Sequence, residues 1–188
     1  MHKKFVIILS IVAVIIMTVL AACAPAAAPA PSPKPPAATP KPVEPPFTAA
    51  TYTNDQYNFS VMYPKTWIKT DFPANLSIFR AMDPQQVPVL QISLFEKANP
   101  QKGVEALWAI YSMTDIKYIV QDQDIKLQDG KTPAKYTVYT SKAGTSPLRT
   151  YSVNVEKGDK AINFAITTVE GMQDEALFKA IINTIVFK

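Results

Sequence analysis

The sequence almost lacks the two side chains on which much enzyme chemistry depends: it has one histidine, His2, and one cysteine, Cys23. Residues 24–188 contain neither. This excludes Ser-His-Asp and Cys-His nucleophiles from that region, together with the usual ligand sets of zinc, copper and haem. A lone cysteine also excludes an intramolecular disulfide. We therefore predict that the protein is not an enzyme and has no cofactor and no metal site.

Glycine and arginine are also scarce. None of the five glycines belongs to a G-x-G or G-K-[ST] cluster, so the common phosphate-cradling loops are excluded. The pI is near 9.0, but residues 49–188 contain thirteen Lys and two Arg against nine Asp and five Glu, a net charge of +1. The two arginines, Arg80 and Arg149, are too few for a phosphate-clamping surface. We predict no nucleic-acid partner.

The first 23 residues have the three parts of an export signal. Lys3 and Lys4 form a short basic start, and a nearly unbroken apolar run extends from Phe5 to Leu20. Leu-Ala-Ala-Cys, ending at Cys23, then closes the run and resembles the lipobox of bacterial lipoproteins. That resemblance implies cleavage before Cys23 and a diacylglycerol thioether on its sulfur. It places the protein outside the cytoplasm, at the outer face of the cell membrane or at the outer membrane if the organism has one.

The alternative for the same segment is an uncleaved transmembrane anchor. Phe5 to Ala22 is just long enough to span a bilayer, because a spanning helix needs roughly 17–25 residues. An anchor, however, requires neither small residues before position 23 nor a cysteine at that position. The pattern therefore favours lipidation of Cys23.

Residues 24–48 contain ten prolines and no glycine. Such a segment buries too little apolar surface to fold, and proline makes it a semi-rigid polyproline II spacer with a reach of roughly 75 Å. The alternative is a proline-rich ligand for an SH3-like domain. The predicted organisation is a signal peptide at 1–22, the acylated cysteine and a Pro/Ala-rich tether at 23–48, and one domain at 49–188.

The domain combines two apolar periods. Alternation with period two, which is typical of strands with one inward face, occurs in five segments. Their inward residues are Tyr57, Phe59, Val61 and Tyr63; Leu90, Ile92 and Leu94; Tyr136 and Val138; Tyr151, Val153 and Val155; and Ile162, Phe164 and Ile166. Asp129-Gly130 and residues 156–159 supply turn residues, so we expect antiparallel hairpins.

Two segments have the helical period instead. Asn99 can cap a helix that begins with Pro100, and its apolar face consists of Val104, Leu107, Trp108 and Tyr111. The inward residues of the second helix are Phe178, Ile181, Ile182 and Ile185. Glu175 and Lys179 pair on its exposed side. These patterns predict an α+β fold in which amphipathic helices sandwich an antiparallel β-sheet.

The spaced aromatic residues that open the domain suggest a family. The run Y-x-F-x-V-x-Y-P-x-x-W from Tyr57 to Trp67 is similar to the opening strand of PsbP-like domains, relatives of the extrinsic photosystem II protein that include many bacterial lipoproteins. The helix after Asn99, the hairpins and the closing F-K-A-I-I-N-T-I-V-F follow in the same order, so the resemblance covers about residues 51–188. It implies an α/β/α sandwich and a non-enzymatic binding or assembly domain. The histidine-dependent metal contacts of plant members have no counterpart here.

Three acidic residues are candidates for a cation site. Asp122, Asp124 and Asp129 are close in sequence and could supply oxygen ligands to a hard cation. Their spacing does not match the calcium-loop pattern. An ordinary hairpin with an Asp-Gly turn explains the same residues, and we predict weak calcium binding or none.

Two further groups are candidates for other sites. A carboxylate pair for glycoside hydrolysis would have to come from Asp83, Glu96 and Glu105, none of which lies in a distinctive motif. A ligand pocket would form if three aromatic side chains converged between sheet and helix. These are Trp67, Trp108 and Tyr111. Their spacing favours packing in the core instead.

Two functions remain open from the sequence. The first is a lipid-anchored, non-enzymatic interaction or assembly module of the cell envelope, with the membrane and an envelope protein as partners. The second is a small-molecule- or cation-binding accessory domain for a transporter or sensor. The tether and the scarcity of catalytic residue types favour the first.

Overall fold

The structure is a computed structural model that describes residues 44–71, 77–85, 87–172 and 174–188. The predicted signal peptide, the lipidation site at Cys23 and the tether up to residue 43 lie outside the described residues. Within the described residues, no helix is long and apolar enough to cross a membrane.

The described residues form ten strands and two helices. The strands are β1 (Ala49–Asn54), β2 (Phe59–Pro64), β3 (Ile68–Lys69), β4 (Ser77–Met82), β5 (Val89–Glu96), β6 (Met113–Lys126), β7 (Pro133–Ala143), β8 (Ser146–Lys157), β9 (Lys160–Val169) and β10 (Val186–Phe187). The helices are α1 (Pro100–Ile110) and α2 (Glu175–Ile182). All five predicted strands and both predicted helices are present.

The strands form two sheets in which every pairing is antiparallel. A small sheet has the order β1-β2-β10, and a large sheet has the order β3-β4-β5-β9-β8-β7-β6. The turns at Asp129-Gly130 and at residues 156–159 join β6 to β7 and β8 to β9, as predicted. The antiparallel α+β fold class is therefore confirmed.

One face of the large sheet holds the core. Because side chains alternate between the two faces of a strand, the inward residues of β5, β8 and β9 lie together, and those at their centres are almost inaccessible to solvent. They pack with the aromatic and aliphatic residues of β2 and with α2. Each fully buried Leu, Ile, Val or Phe stabilises the fold by about 1.5–3 kcal/mol.

Helix α2 packs on this apolar face as the sequence predicts. Its N-terminus is capped by Asp174, which accepts a hydrogen bond from the Leu177 backbone N–H at 2.9 Å. The Phe178 ring stacks on Tyr151 with the ring centroids 5.2 Å apart. On the exposed side, Lys179 Nζ lies 2.7 Å from Glu175 Oε1.

Helix α1 lies against strands β5 and β6 of the large sheet. It begins as predicted, because the Asn99 side chain accepts a hydrogen bond from the Lys102 backbone N–H at 3.1 Å and Pro100 is the first helical residue. The expectation that Trp108 and Tyr111 are core residues is wrong, since both are only partly buried and α1 has no fully buried residue. The physical reason is that the sheet surface beneath α1 is polar.

Candidate functional site

The face of the large sheet beneath α1 is a layer of polar side chains, which we call the polar layer. Its members are at most 7 % exposed. They are Gln91, Ser93, Thr137, Ser141, Thr150, Ser152 and Asn163. Strand pairing brings them together, since Gln91 lies opposite Ala165 and Ala165 lies opposite Ser152.

Hydrogen bonds offset the cost of burying most of these groups, since unpaired buried polar groups are strongly unfavourable, and among the named members the Ser141 hydroxyl has no such partner. Gln91 Nε2 donates to Ser93 Oγ at 3.0 Å. The Thr150 and Thr167 hydroxyl oxygens are 3.0 Å apart, and Asn163 Nδ2 donates to a side-chain oxygen of the neighbouring strand at 2.9 Å. The layer is therefore an ordered polar surface inside the protein.

Two aromatic side chains of α1 form hydrogen bonds with residues on this face of the sheet. Trp108 Nε1 donates a hydrogen bond to the Tyr139 hydroxyl at 3.1 Å, and the two rings meet edge to face with centroids 5.6 Å apart. The Tyr111 hydroxyl donates to Gln91 Oε1. A narrow space of about 50 Å³ remains between the helix and the layer. The apolar side of α1 faces the sheet as predicted, but it rests on the polar layer as well as on the buried rings of Phe95 and Tyr139.

At the C-terminal end of α1 this space widens into a cavity of about 190 Å³, which we call the helix-end cleft. Its apolar walls are Val87, Val89, Met113, Ala143 and Leu148. Its polar lining is Arg80, Gln91, Tyr111 and Thr167. The cleft thus combines a mainly apolar wall with a few polar groups, which is the usual composition of a small-molecule site.

The polar groups of the cleft form a connected chain. Arg80 pairs with Gln91 in the sheet register, so both side chains lie on the α1 face. The Arg80 Nη1 atom donates to Thr70 Oγ1 at 3.0 Å, and its side chain also hydrogen-bonds Tyr111. Tyr111 in turn donates to Gln91. The guanidinium is thereby held at one side of the cleft.

Burial raises the pKa of the Tyr111 hydroxyl, while the charge and hydrogen bond of Arg80 and the hydrogen bond with Gln91 partly oppose that rise. The net direction is upward from 10.0. Tyr111 is therefore a neutral phenol at physiological pH and can donate a hydrogen bond. Arg80 therefore presents a positive charge to the cleft, and Tyr111 presents a donor to any ligand that replaces Gln91 as its acceptor.

The three acidic residues proposed for a cation are not brought together. Asp124 Oδ1 lies 2.6 Å from Lys135 Nζ, and Asp122 Oδ1 accepts a hydrogen bond from the Thr137 hydroxyl at 3.1 Å. Asp129 accepts the backbone N–H groups of Lys131 and Thr132, both at 2.8 Å, inside its turn. Among the described residues, no three His, Cys, Asp or Glu side chains form a metal-binding group.

The candidate carboxylates for glycoside hydrolysis are also separate. Asp83 directly follows Met82, which is paired with Val89 at the start of β5. Glu96 lies at the other end of β5, seven residues from Val89. At about 3.3 Å per residue, the two ends of the strand are about 23 Å apart. Glycosidases hold their two carboxyl groups about 5–10 Å apart. Glu105 is exposed on α1 and accepts a hydrogen bond from Gln101 at 3.2 Å.

The three aromatic candidates do not converge on one pocket. Trp67 belongs to the core and is 6 % exposed, as predicted, whereas Trp108 and Tyr111 lie on the α1 face of the large sheet. Only Tyr111 lines the helix-end cleft. Sequence reasoning missed the roles of Arg80 and Gln91, although the alternation of Gln91 and Ser93 with the core residues of β5 is visible in the sequence.

Two other hollows lie near the edges of the described chain. One of about 730 Å³ is lined by residues 44–49 and Met62, and it opens widely to solvent beside the end of the tether. Another of about 220 Å³ includes Lys69 and Asp71 and borders residues outside the description. Neither is framed on all sides by described secondary structure, so the helix-end cleft is the better-formed site.

Comparison with known proteins finds similar folds among solved structures only. A scan against models of protein families gives no match, and a search of curated proteins gives none either. Among solved structures, the chain is similar to cyanobacterial PsbP (CyanoP) from Synechocystis sp. PCC 6803, with 13 % identity over 74 % of this chain and 92 % of that one, and a TM-score of 0.57. A structure from Bacteroides thetaiotaomicron VPI-5482 has 17 % identity over 73 % of this chain and 48 % of that one, with a TM-score of 0.50.

The described residues therefore form a mostly antiparallel α+β domain that carries a buried polar layer and a small cleft. More particularly, the domain has a PsbP-like fold, as its aromatic pattern suggests. At these identities the likeness concerns the fold alone.

Proposed function

We propose that this chain is a lipid-anchored, non-enzymatic binding module held outside the cell membrane, and that the helix-end cleft is its site. The cleft carries the proposal because a guanidinium, a neutral phenol and an apolar wall meet there in one cavity. Of the two functions that the sequence leaves open, this geometry favours the accessory domain that binds a small molecule for a transporter or sensor.

The N-terminal sequence supports the location. A diacylglycerol on Cys23 would hold the mature chain at the membrane, and the proline-rich tether would let the domain reach roughly 75 Å from it. We also propose the layered arrangement of PsbP-like domains, with α1 on one face of the large sheet and α2 on the other. In that arrangement the cleft lies on the α1 side, away from the apolar core.

Methyl NMR on the full-length protein in lipid nanodiscs tests the site directly. Met113 lines the cleft, whereas Met172 is 61 % exposed between β9 and α2 and serves as an internal control. We expect some members of a panel of anionic, neutral and cationic small molecules to shift the Met113 methyl signal and leave Met172 unchanged. A panel in which no compound shifts Met113 would refute the proposal.

A second candidate is the interaction or assembly module with an envelope protein partner. It is favoured by exposed apolar side chains near α1 and β6: Ile110, Tyr118 and Ile119 are 48 %, 37 % and 54 % exposed. Tyr118 accepts a hydrogen bond from Gln101 of α1 at 3.4 Å, so this part of β6 lies next to the helix. Tyr118 and Ile119 are consecutive residues of β6, and adjoining exposed apolar residues are candidates for protein contacts.

Crosslinking in intact envelopes tests this second candidate. Ile119→Lys should abolish a specific crosslinked species, whereas Ile68→Lys, an equally exposed isoleucine on β3, should leave it unchanged. If both variants crosslink as the unchanged protein does, the surface beside α1 is not the contact.

A further inference from the structure

We infer that the helix-end cleft binds a small monocarboxylate with a short apolar body, with the carboxylate at Arg80 and Tyr111 and the apolar part along the opposite wall. This inference rests on the proposed function, because it names the ligand class of the same site.

The volume of the cleft limits the size of the ligand. At about 30 Å³ per water-sized group, 190 Å³ holds about six such groups. Drug-sized ligands need cavities of about 300–1,000 Å³. A ligand of roughly six non-hydrogen atoms therefore fits, which corresponds to a carboxylic acid of about four carbons.

The charges of the lining determine which polar group enters. Among the described residues that line the cleft, Arg80 carries the only formal charge. A guanidinium matches the planar geometry of a carboxylate and binds it through charge-assisted hydrogen bonds. The Tyr111 hydroxyl has one proton, which it donates to Gln91 Oε1, so a carboxylate at Arg80 accepts a hydrogen bond from Tyr111 by replacing Gln91 as the acceptor.

A single negative charge suits this lining better than two. One guanidinium balances one carboxylate, whereas a phosphate dianion would bring a second charge into a cavity with mainly apolar walls. Burying a charge without an opposite charge is strongly unfavourable. Cations are disfavoured for the same reason, since they would face Arg80.

The apolar wall determines the body of the ligand. Val87 lies just before β5 and Val89 is its first residue, while Met113 comes from β6, and Ala143 and Leu148 from the β7–β8 hairpin. Each methylene that is transferred from water to this wall should raise affinity about fourfold. Affinity should stop rising once the chain fills the cavity.

Titration of straight-chain monocarboxylates from acetate to decanoate, each beside the amide of the same length, tests the inference. The readouts are calorimetry and the Met113 methyl shift in the full-length protein. We expect affinity to rise about fourfold per methylene and to level off or fall beyond about four carbons. Each amide should bind at least tenfold more weakly than its acid, because it lacks the charge that Arg80 recognises.

Two arginine variants distinguish binding of the carboxylate in the cleft from nonspecific attraction by the positive charges of the domain. Arg80→Gln should remove the preference for acid over amide while keeping the dependence on chain length. Arg149→Gln is the matched control, because Arg149 Nη2 is paired with Glu170 Oε1 at 2.8 Å and does not line the cleft. Circular dichroism confirms that both variants are folded before binding is compared.

The outcomes distinguish this inference from the proposed function. If amides bind as tightly as acids, or if Arg80→Gln keeps the acid preference, the ligand class is wrong while the cleft remains a binding site. If acids do not shift Met113 but other compounds do, the carboxylate assignment is again wrong. If a peptide with a free C-terminal leucine binds more tightly than every free acid, the small-molecule assignment is wrong. If nothing shifts Met113, the proposed function itself is refuted.

Discussion

Gly103 gives the most direct test of how closely α1 lies on the large sheet. It is an interior residue of α1, where glycine is normally about 1 kcal/mol less favourable than alanine. A Cβ atom at Gly103, however, would lie 2.2 Å from Phe95 Cδ1 and 2.5 Å from Phe95 Cγ. Glycine is therefore required there for the close approach of helix and strand.

Rotation of the Phe95 ring cannot relieve this contact. Phe95 Cβ would itself be 2.9 Å from the new methyl group, and the backbone of β5 fixes that atom. Phe95 is also only 2 % exposed, so the ring has no solvent-filled space to enter. The helix must instead move outward, and overpacking of this kind typically costs about 1–3 kcal/mol.

We therefore expect Gly103→Ala to lower the free energy of unfolding by about 1–2 kcal/mol, once the gain in helix propensity is subtracted. Urea unfolding of the full-length protein, followed by the fluorescence of its two tryptophans, measures the change. Lys102→Ala is the control, since Lys102 is an exposed neighbour on α1 and its replacement should change stability by less than about 0.5 kcal/mol. If Gly103→Ala instead raised the free energy of unfolding by about 1 kcal/mol, α1 would not approach Phe95 closely.

Four further predictions concern other parts of the chain. Cys23→Ser should leave an uncleaved, unacylated precursor by mass spectrometry, and normal acylation would refute the lipidation site. Residues 49–188 expressed alone should fold cooperatively without reductant or metal; a non-cooperative melting curve would contradict this. Trp108→Ala should cost about 1–3 kcal/mol, below the 3–5 typical of core tryptophan, because Trp108 is only partly buried. Trp108→Phe should recover most of that loss. Calorimetry should detect no micromolar calcium binding. Such binding, if lost in Asp124→Asn, would contradict the interpretation of these acidic residues as part of an ordinary hairpin.

The elements that the sequence predicts are those with a strong local pattern. The alternation of β5, β8 and β9 and the cap at Asn99 are set by neighbouring residues. Strand β6 was expected only as one arm of the hairpin at Asp129-Gly130, and its extent was not predicted. The reason is that it lies at the sheet edge, exposes most of its side chains, and has a register that is shifted at several points. The small sheet was not predicted as a separate unit, since β2 pairs with β10 from the far end of the chain. Such pairings leave no local signal.

The site was missed for a related reason. Gln91 alternates with the core residues Leu90 and Ile92, so the period-two pattern places it on the opposite face and implies contact with water. Only the position of α1 turns that face into a buried layer, and the position of a helix across a sheet depends on contacts distant in sequence. Arg80 gives no motif of its own, and its role depends on being paired with Gln91 across the β4–β5 hairpin.

The proposed binding function is compatible with this division of the large sheet. The apolar face, with α2 and the small sheet, supplies most of the buried surface and therefore most of the stability. The polar face contributes less to stability, since its groups exchange hydrogen bonds with water for hydrogen bonds with one another at little net gain. Changes at Arg80 or Tyr111 should therefore alter recognition more than folding. The residues that line the cleft beside α1 can therefore be substituted without changing the apolar core beside α2.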